Sequence, residues 1–331
     1  VDAVAIETLS AARAGLANPQ DQARALTERA SAYNTAGELQ RAMADAQAAL
    51  QLLPQQIGAA RVAATVALAQ AQVDLGQLDQ GAQTLEQLRA AVQQLPASPE
   101  RDAQHALLLT ELAMVREQQA RWDEAEILMR EGMALSAALP NDPQRGVDQV
   151  NLARILGSLG RYEESELALK QAIAQHTRIL GPTHPLTLRA RSERAGILQK
   201  LRRYDEANQE YRAAIAGLSQ SLGAEHPTTA LAQHNFAVAQ YAQGNFAEAK
   251  VLASNALAVA ERDFPAGHER ITAGRLVIAA CMLELGEAST AAPILEAVLQ
   301  EVRARAVPSD LPSILNTLAL AYTALGRTGE A

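Results

Sequence analysis

The sequence predicts an all-α fold, a solenoid of stacked antiparallel helix pairs. Three observations predict it. A loop motif recurs: Gly181-Pro182-Thr183-His184-Pro185 returns 42 residues later as Gly223-Ala224-Glu225-His226-Pro227, and His268 follows at the same step in Ala266-Gly267-His268-Glu269. Aromatic landmarks at Tyr162, Tyr204 and Phe246 keep that step. The composition is 48% hydrophobic but only 3% aromatic, which suits Ala- and Leu-rich helix packing better than a β sandwich. A fixed period of this size marks a helical repeat array. Each unit then packs only on its neighbours, so 331 residues need not share one core.

Residues 1–18 read as a partial N-terminal helix or cap, helical from Val4 to Leu16 and closed by Ala17-Asn18-Pro19. About eight helix pairs are expected over 19–331 as one continuous solenoid, the last pair truncated. The first pair sets the pattern. Leu26, Ala30 and Tyr33 lie on its first helix and Gly37 turns the chain. Leu39, Ala42, Ala46 and Ala49 lie on its second helix, which stops at Pro54. Small residues at Ala30 and Ala42 let the two helices approach closely. The pattern returns at Leu68-Ala69 with Gly76, Leu78 and Leu85, at Leu112-Ala113 with Trp122, Ala125, Met129 and Gly132, and at Leu152-Ala153 with Leu156, Gly160, Tyr162 and Leu169. It continues at Ala195 with Leu198, Tyr204, Ala207, Tyr211 and Ala214, and at Phe236-Ala237 with Gly244, Phe246, Ala249 and Ala256. Ala279 with Gly286, Ala291, Leu295 and Val298, then Leu318-Ala319 with Tyr322, Gly326 and Ala331, complete the series. Trp122, Tyr162, Tyr204 and Phe246 are expected in the inter-helix core. Ala120 and Arg202 replace the turn glycine, so those two turns are expected to do without a positive φ.

This spacing resembles the tetratricopeptide repeat, matched one by one at Leu26, Ala30, Tyr33, Gly37, Leu39, Ala42, Ala49 and Pro54. Gly81 departs from it where Ala is usual, and reads as a loss of helix propensity of up to ~1 kcal/mol. Thr328 and Ala288 weaken the last two units. The central 42-residue form is similar to kinesin-light-chain-type repeats, with an extended second helix such as Glu206 to Leu222. In Ala/Arg-rich texture and loop motif it also resembles arrays that follow a bacterial serine/threonine kinase domain. The resemblance implies a right-handed superhelix with a concave inner face.

Composition narrows the function. Net charge is −8 and pI near 5.4, which disfavours nucleic acid, since phosphate binding needs a basic field. Cys281 is the single cysteine, set in an apolar helical run, and reads as a buried small hydrophobe. Nothing at Val1 reads as a signal peptide, and no apolar run approaches the ~18 residues of a membrane span. The three lysines, Lys170, Lys200 and Lys250, against many arginines read as codon bias of a GC-rich bacterial genome. No catalytic constellation is visible: no Gly-x-Ser-x-Gly, Gly-x-Gly-x-x-Gly, P-loop or Cys-x-x-Cys. His268-Glu269 begins a zincin-like motif, but position 272 is Thr. The spacing of His184, His226 and His268 argues against a shared metal, because equivalent loops of stacked pairs lie roughly 10 Å apart and nitrogen ligands sit ~2.0–2.1 Å from zinc. Each is expected to cap or brace its loop. The chain is thus read as non-enzymatic, with no cofactor and no metal.

The expected working surface is a peptide-binding groove on the first helices of units three to six. Asn151 and Asn235 each precede the Leu/Phe-Ala pair. In peptide-binding members of the resembled family an Asn here bonds the ligand backbone, a task suited to an amide with both donor and acceptor. Water or the next helix is the alternative partner. Arg154, His234 and Tyr241 project from the same helices, and Arg189 and Lys200 take corresponding places in the basic run Arg189, Arg191, Arg194, Lys200, Arg202, Arg203. That run is either a set of solvated, ion-paired helix ends or a site for an anionic partner segment. Leu276, Val277, Ala280 and Leu283 form an apolar stretch expected to be covered by the eighth unit. The expected function is a scaffold for a protein or peptide, with no nucleic acid and no membrane insertion in this region. By resemblance it is the sensor or regulatory part of a kinase, extracytoplasmic if so and otherwise cytoplasmic. The alternative is an oligomerisation module, a homodimer paired through the chain ends Val4–Leu16 and Leu318–Ala331.

Overall fold

The computed structural model describes residues 6–11, 16–136, 144–264, 266–305, 311–327 and 329. Expectations placed on Val4, Thr328 and Ala331 fall outside them. Residues 6–11 form α1. Seven helix pairs follow: α2 (Pro19–Thr35) with α3 (Leu39–Leu52), α4 (Ala59–Asp74) with α5 (Leu78–Gln93), α6 (Pro99–Gln118) with α7 (Trp122–Leu135), α8 (Gln144–Ser158) with α9 (Tyr162–Leu180), α10 (Pro185–Lys200) with α11 (Tyr204–Leu222), α12 (Pro227–Ala242) with α13 (Phe246–Asp263), and α14 (Glu269–Glu284) with α15 (Ala288–Arg305). Then comes α16 (Leu311–Ala324). No strand occurs among the described residues. The fold is an all-α solenoid of stacked helix pairs. Its contacts group into two compact units, residues 1–168 and 169–331.

Within each unit the packing is local. Helices touch their immediate neighbours, and each first helix also meets the first helix of the following pair, as α2 does α4 and α10 does α12. The core is accordingly a series of small clusters. In the first unit, Ala113, Ala125, Met129, Leu152, Ile155 and Leu156 form one. In the second, Ala195, Tyr211, Phe236 and Ala239 form another, with the Tyr211 and Phe236 rings stacked at 5.1 Å.

Turn chemistry explains the joints. Gly37 has φ 76°, and the N–H of Glu38 donates to the carbonyl of Tyr33, closing a Schellman-type end on α2. Ala120 and Arg202 adopt the same geometry, with φ 57° and 60°. Arg121 N–H donates to Arg116 O and Arg203 N–H to Leu198 O, in the same closing bond. The expectation that these two turns avoid a positive φ is therefore wrong. Two helix-end carbonyls need that backbone, and the left-handed conformation is imposed on residues that carry a Cβ.

Two further expectations are corrected. Trp122 is 39% and Tyr204 41% exposed, while Tyr162 and Phe246 are half-buried. Each begins a second helix beside the turn, where core lies on one side of the ring only. Gly81 is a packing device rather than a defect: a Cβ there would lie 2.6 Å from Val73 Cγ2 and 3.1 Å from the carbonyl oxygen of Ala69.

Candidate functional site: open faces of the first helices

The expected residues lie on stripes that packing leaves open. In α8, Val150, Leu152, Ala153, Ile155 and Leu156 are buried. Asn151, half-buried, and Arg154 and Ser158, both exposed, form the open stripe at spacings of three and four. In α10 the stripe holds Arg189, Glu193, Gly196 and Lys200. In α12 it holds Leu231, His234, Asn235, Val238, Tyr241 and Ala242. Asn151 and Arg154 belong to the first unit and the other five expected residues to the second.

Their surroundings differ. In the first unit, Arg154 Nε donates to both carboxylate oxygens of Glu117, at 2.8 and 3.0 Å, so it braces α8 against α6. Beside it, α2, α4 and α6 leave a crevice of about 310 Å³ lined by Asn34, Gln70, Glu111 and Gln118 among others. Asn34 Nδ2 donates to Ala67 O at 3.2 Å, and Gln70 Nε2 donates to Glu111 Oε2 at 3.2 Å. Burial holds the Glu111 carboxyl above the usual carboxylate range; the Gln70 donor opposes this and Asp148 adds to it. The sequence reading missed Glu111, although the signal was present. Glu111 precedes Leu112-Ala113 as Asn151 precedes Leu152-Ala153.

In the second unit, Tyr241 packs its ring on Phe246 at 5.4 Å, and burial raises its hydroxyl pKa. His234 lines a crevice of about 440 Å³ between α12, α13 and α14. Burial, then the nearby Arg270 charge, pushes its imidazole below the ordinary range, so it is neutral at pH 7. Gln199 of α10 donates to Ala239 O of α12 at 3.3 Å, a brace the sequence reading did not assign. Leu276 and Leu283 pack partly buried against the cluster that includes Ile314 and Leu318 of α16.

Arg191, Arg194 and Arg203 of the basic run are explained by pairing. Arg191 Nε and Arg194 Nη1 share the Glu210 carboxylate of the facing second helix, at 2.7 and 2.9 Å. Arg203 pairs with Glu206 in the first turn of α11 at 2.6 Å. The three loop histidines are helix caps. Nδ1 of His184, His226 and His268 accepts from the N–H of Leu186, Thr228 and Arg270 at 3.2, 3.1 and 3.2 Å. Buried Thr187 and Thr229 tie the same loops by donating to Gly181 O and Gly223 O. Cys281 is buried, and burial pushes its thiol up to about 11. Among the described residues no His, Cys, Asp or Glu group is arranged to hold a metal ion, and no helix is long and apolar enough to cross a membrane.

The tetratricopeptide-repeat family profile matches residues 104–175, 149–216 and 186–262, in overlapping frames that follow the helix pairs. The chain is a tetratricopeptide-repeat array. Its long repeat is of the kinesin-light-chain type: a protein of Podosopora anserina assigned as a kinesin light chain, with nearly identical TPR-like repeats, is 26% identical with a TM-score of 0.50, over 61% of this chain and 96% of its own. A Rap protein complexed with competence and sporulation factor matches 94% of the array and 88% of its own chain at 13% identity and TM-score 0.66. NprR in complex with its cognate peptide NprX matches 88% and 80% at 11% identity and TM-score 0.60. At these identities the last two share the fold with the array. The search of curated proteins finds no match.

Proposed function

We propose that the array is a non-enzymatic scaffold that binds a peptide or an extended protein segment on its first helices. One observation carries this reading. In each unit, successive first helices leave an open crevice lined by polar side chains at repeat-determined positions, Gln70 and Glu111 in one and His234 in the other. Such concave sites, apolar with a few placed polar groups, are where ligands bind. NprR, which shares the fold, is known with a bound peptide. Asn151 and Asn235 supply the donor and acceptor that an extended backbone needs. Selection from a random peptide library, followed by titration, tests the reading. Asn235→Ala or Asn151→Ala should weaken the selected peptide about tenfold, the ~1.4 kcal/mol of a lost hydrogen bond. Failure to select any peptide, or affinity untouched by both substitutions, contradicts it.

The array is further proposed to be the sensor or regulatory part of a bacterial serine/threonine kinase, held outside the cytoplasm. Its Ala/Arg-rich texture and Gly-x-x-His-Pro loop support this. A gene in which a kinase domain and a membrane span precede the array is the expected finding, and a gene without them contradicts it. A second reading, self-association, draws on Leu315 and Leu320 of α16, which are 40% and 57% exposed. Light scattering that returns a concentration-independent monomer removes that reading.

A further inference from the structure

The crevice between α12, α13 and α14 arises where the repeat has lost side-chain volume. Forty-two residues earlier, the corresponding space is closed by Leu188, Leu218 and Ala232, with Ile215 and Leu222 packed against them. Leu218 is fully buried there. One step on, Ala260 stands for Leu218 and Ala273 for Leu231. A third exchange is neutral in volume. Leu188 with Gly217, where a Cβ would lie 2.8 Å from Leu188 Cδ1, becomes Ala230 with Val259. Phe264 replaces Leu222 but does not refill the space. Its ring stacks on His268 at 4.2 Å and lies under the Arg270 guanidinium at 5.0 Å. About 440 Å³ is left open, with Leu231, Leu257, Val259 and Phe264 among its apolar lining. That volume lies within the range of ligand pockets.

The polar groups at this crevice are His234, Glu269 and Arg270. Glu269 and Arg270 are exposed in the first turn of α14. Arg270 lies on an aromatic face, and no carboxylate among the described residues forms an ion pair with it. Two nearby arginines are neutralised, Arg262 by Asp263 and Glu225 and Arg275 by Glu261 and Glu301. An apolar recess beside a cation held on a ring is complementary to an apolar group that carries a carboxylate.

We propose that this crevice is the anchor pocket of the peptide site: it takes a large aliphatic side chain of the bound segment, and Arg270 takes a carboxylate next to that side chain. The pocket rests on the peptide-binding reading above and names one of its subsites. His234 and Asn235, neighbours on α12, place it beside the expected backbone contact.

The test uses N-acetyl-leucine as the probe on the full isotope-labelled chain, followed by NMR. Millimolar binding should shift the resonances of His234, Leu257 and Ala273. N-acetyl-leucinamide, which lacks the carboxylate, should bind at least tenfold more weakly, and Arg270→Gln should weaken N-acetyl-leucine by the same factor. The double variant Ala260→Leu/Ala273→Leu restores the residues of the preceding period. It should fold, with melting unchanged or raised, and lose the probe. Equal binding of the amide, or binding that survives filling, overturns the proposal. A library-selected peptide that binds the filled variant with unchanged affinity removes the pocket and leaves the peptide reading intact. Probe binding that is lost on filling, in a chain that selects no peptide, overturns both the peptide reading and the occupant named here.

Discussion

Single residues show how the repeat sets chemistry. Glu111, Asn151 and Asn235 occupy one position of the repeat, before a Leu/Phe-Ala pair, and Glu193 holds it in the repeat between the last two, before Arg194-Ala195. Of the first three, only Glu111 is ionisable. Its carboxyl keeps its proton to higher pH in the folded chain because it is buried in the first-unit crevice. Unfolded, it ionises near 4.3 (an approximate reference value). Folding therefore takes up a proton in the window above that value, and stability falls as pH rises through it. Glu111→Gln removes the buried charge and keeps an acceptor for Gln70. The variant should melt higher than the parent at pH 7.5, with the difference shrinking as pH falls toward 4. A difference independent of pH would assign it to something other than the charge.

At the scale of the element, the His-Pro loops are helix starts. His226 caps α12 through Nδ1, and Pro227 follows at the first helical position. His226→Ala should cost about 1 kcal/mol in thermal unfolding, and His226→Ser, itself a good cap, much less. Equal losses in the two would show that the ring serves some other contact. The aromatic positions divide in the same way. Phe236→Ala, at a site 2% exposed and stacked on Tyr211, should cost about 3–5 kcal/mol, and Trp122→Ala less than that range. Helix pairs, turn glycines and capping histidines were legible in the sequence because each repeats at a fixed step. The exposure of Trp122 and Tyr204 was not, because periodicity places a residue on a helix but does not say whether a neighbour covers its far side. The left-handed backbone at Ala120 and Arg202 was hidden for a related reason: residue type there argues against the conformation that the helix ends require. The pairing of Arg191 and Arg194 with Glu210 was hidden as well, because spacing along one helix does not show what the facing helix supplies.

At the scale of the whole molecule, the chain is a tetratricopeptide-repeat array whose contacts fall into two units. Among the described residues, ionic and amide side chains also tie neighbouring helices together, as in Arg154–Glu117 and Gln199–Ala239. On the proposed peptide-binding reading, the first unit offers a partner the open stripe of α8 and its crevice, and the second offers the stripes of α10 and α12 and the crevice beside His234. The sequence placed the stripes but not the crevices, because an open volume depends on which small residues meet across three helices, as Ala260 and Ala273 do. The most direct test of this account is hydrogen–deuterium exchange of the full chain with and without a library-selected peptide. Protection should concentrate in the first helices, residues 144–158, 185–200 and 227–242. Protection confined to the second helices, residues 162–180, 204–222 and 246–263, would contradict it.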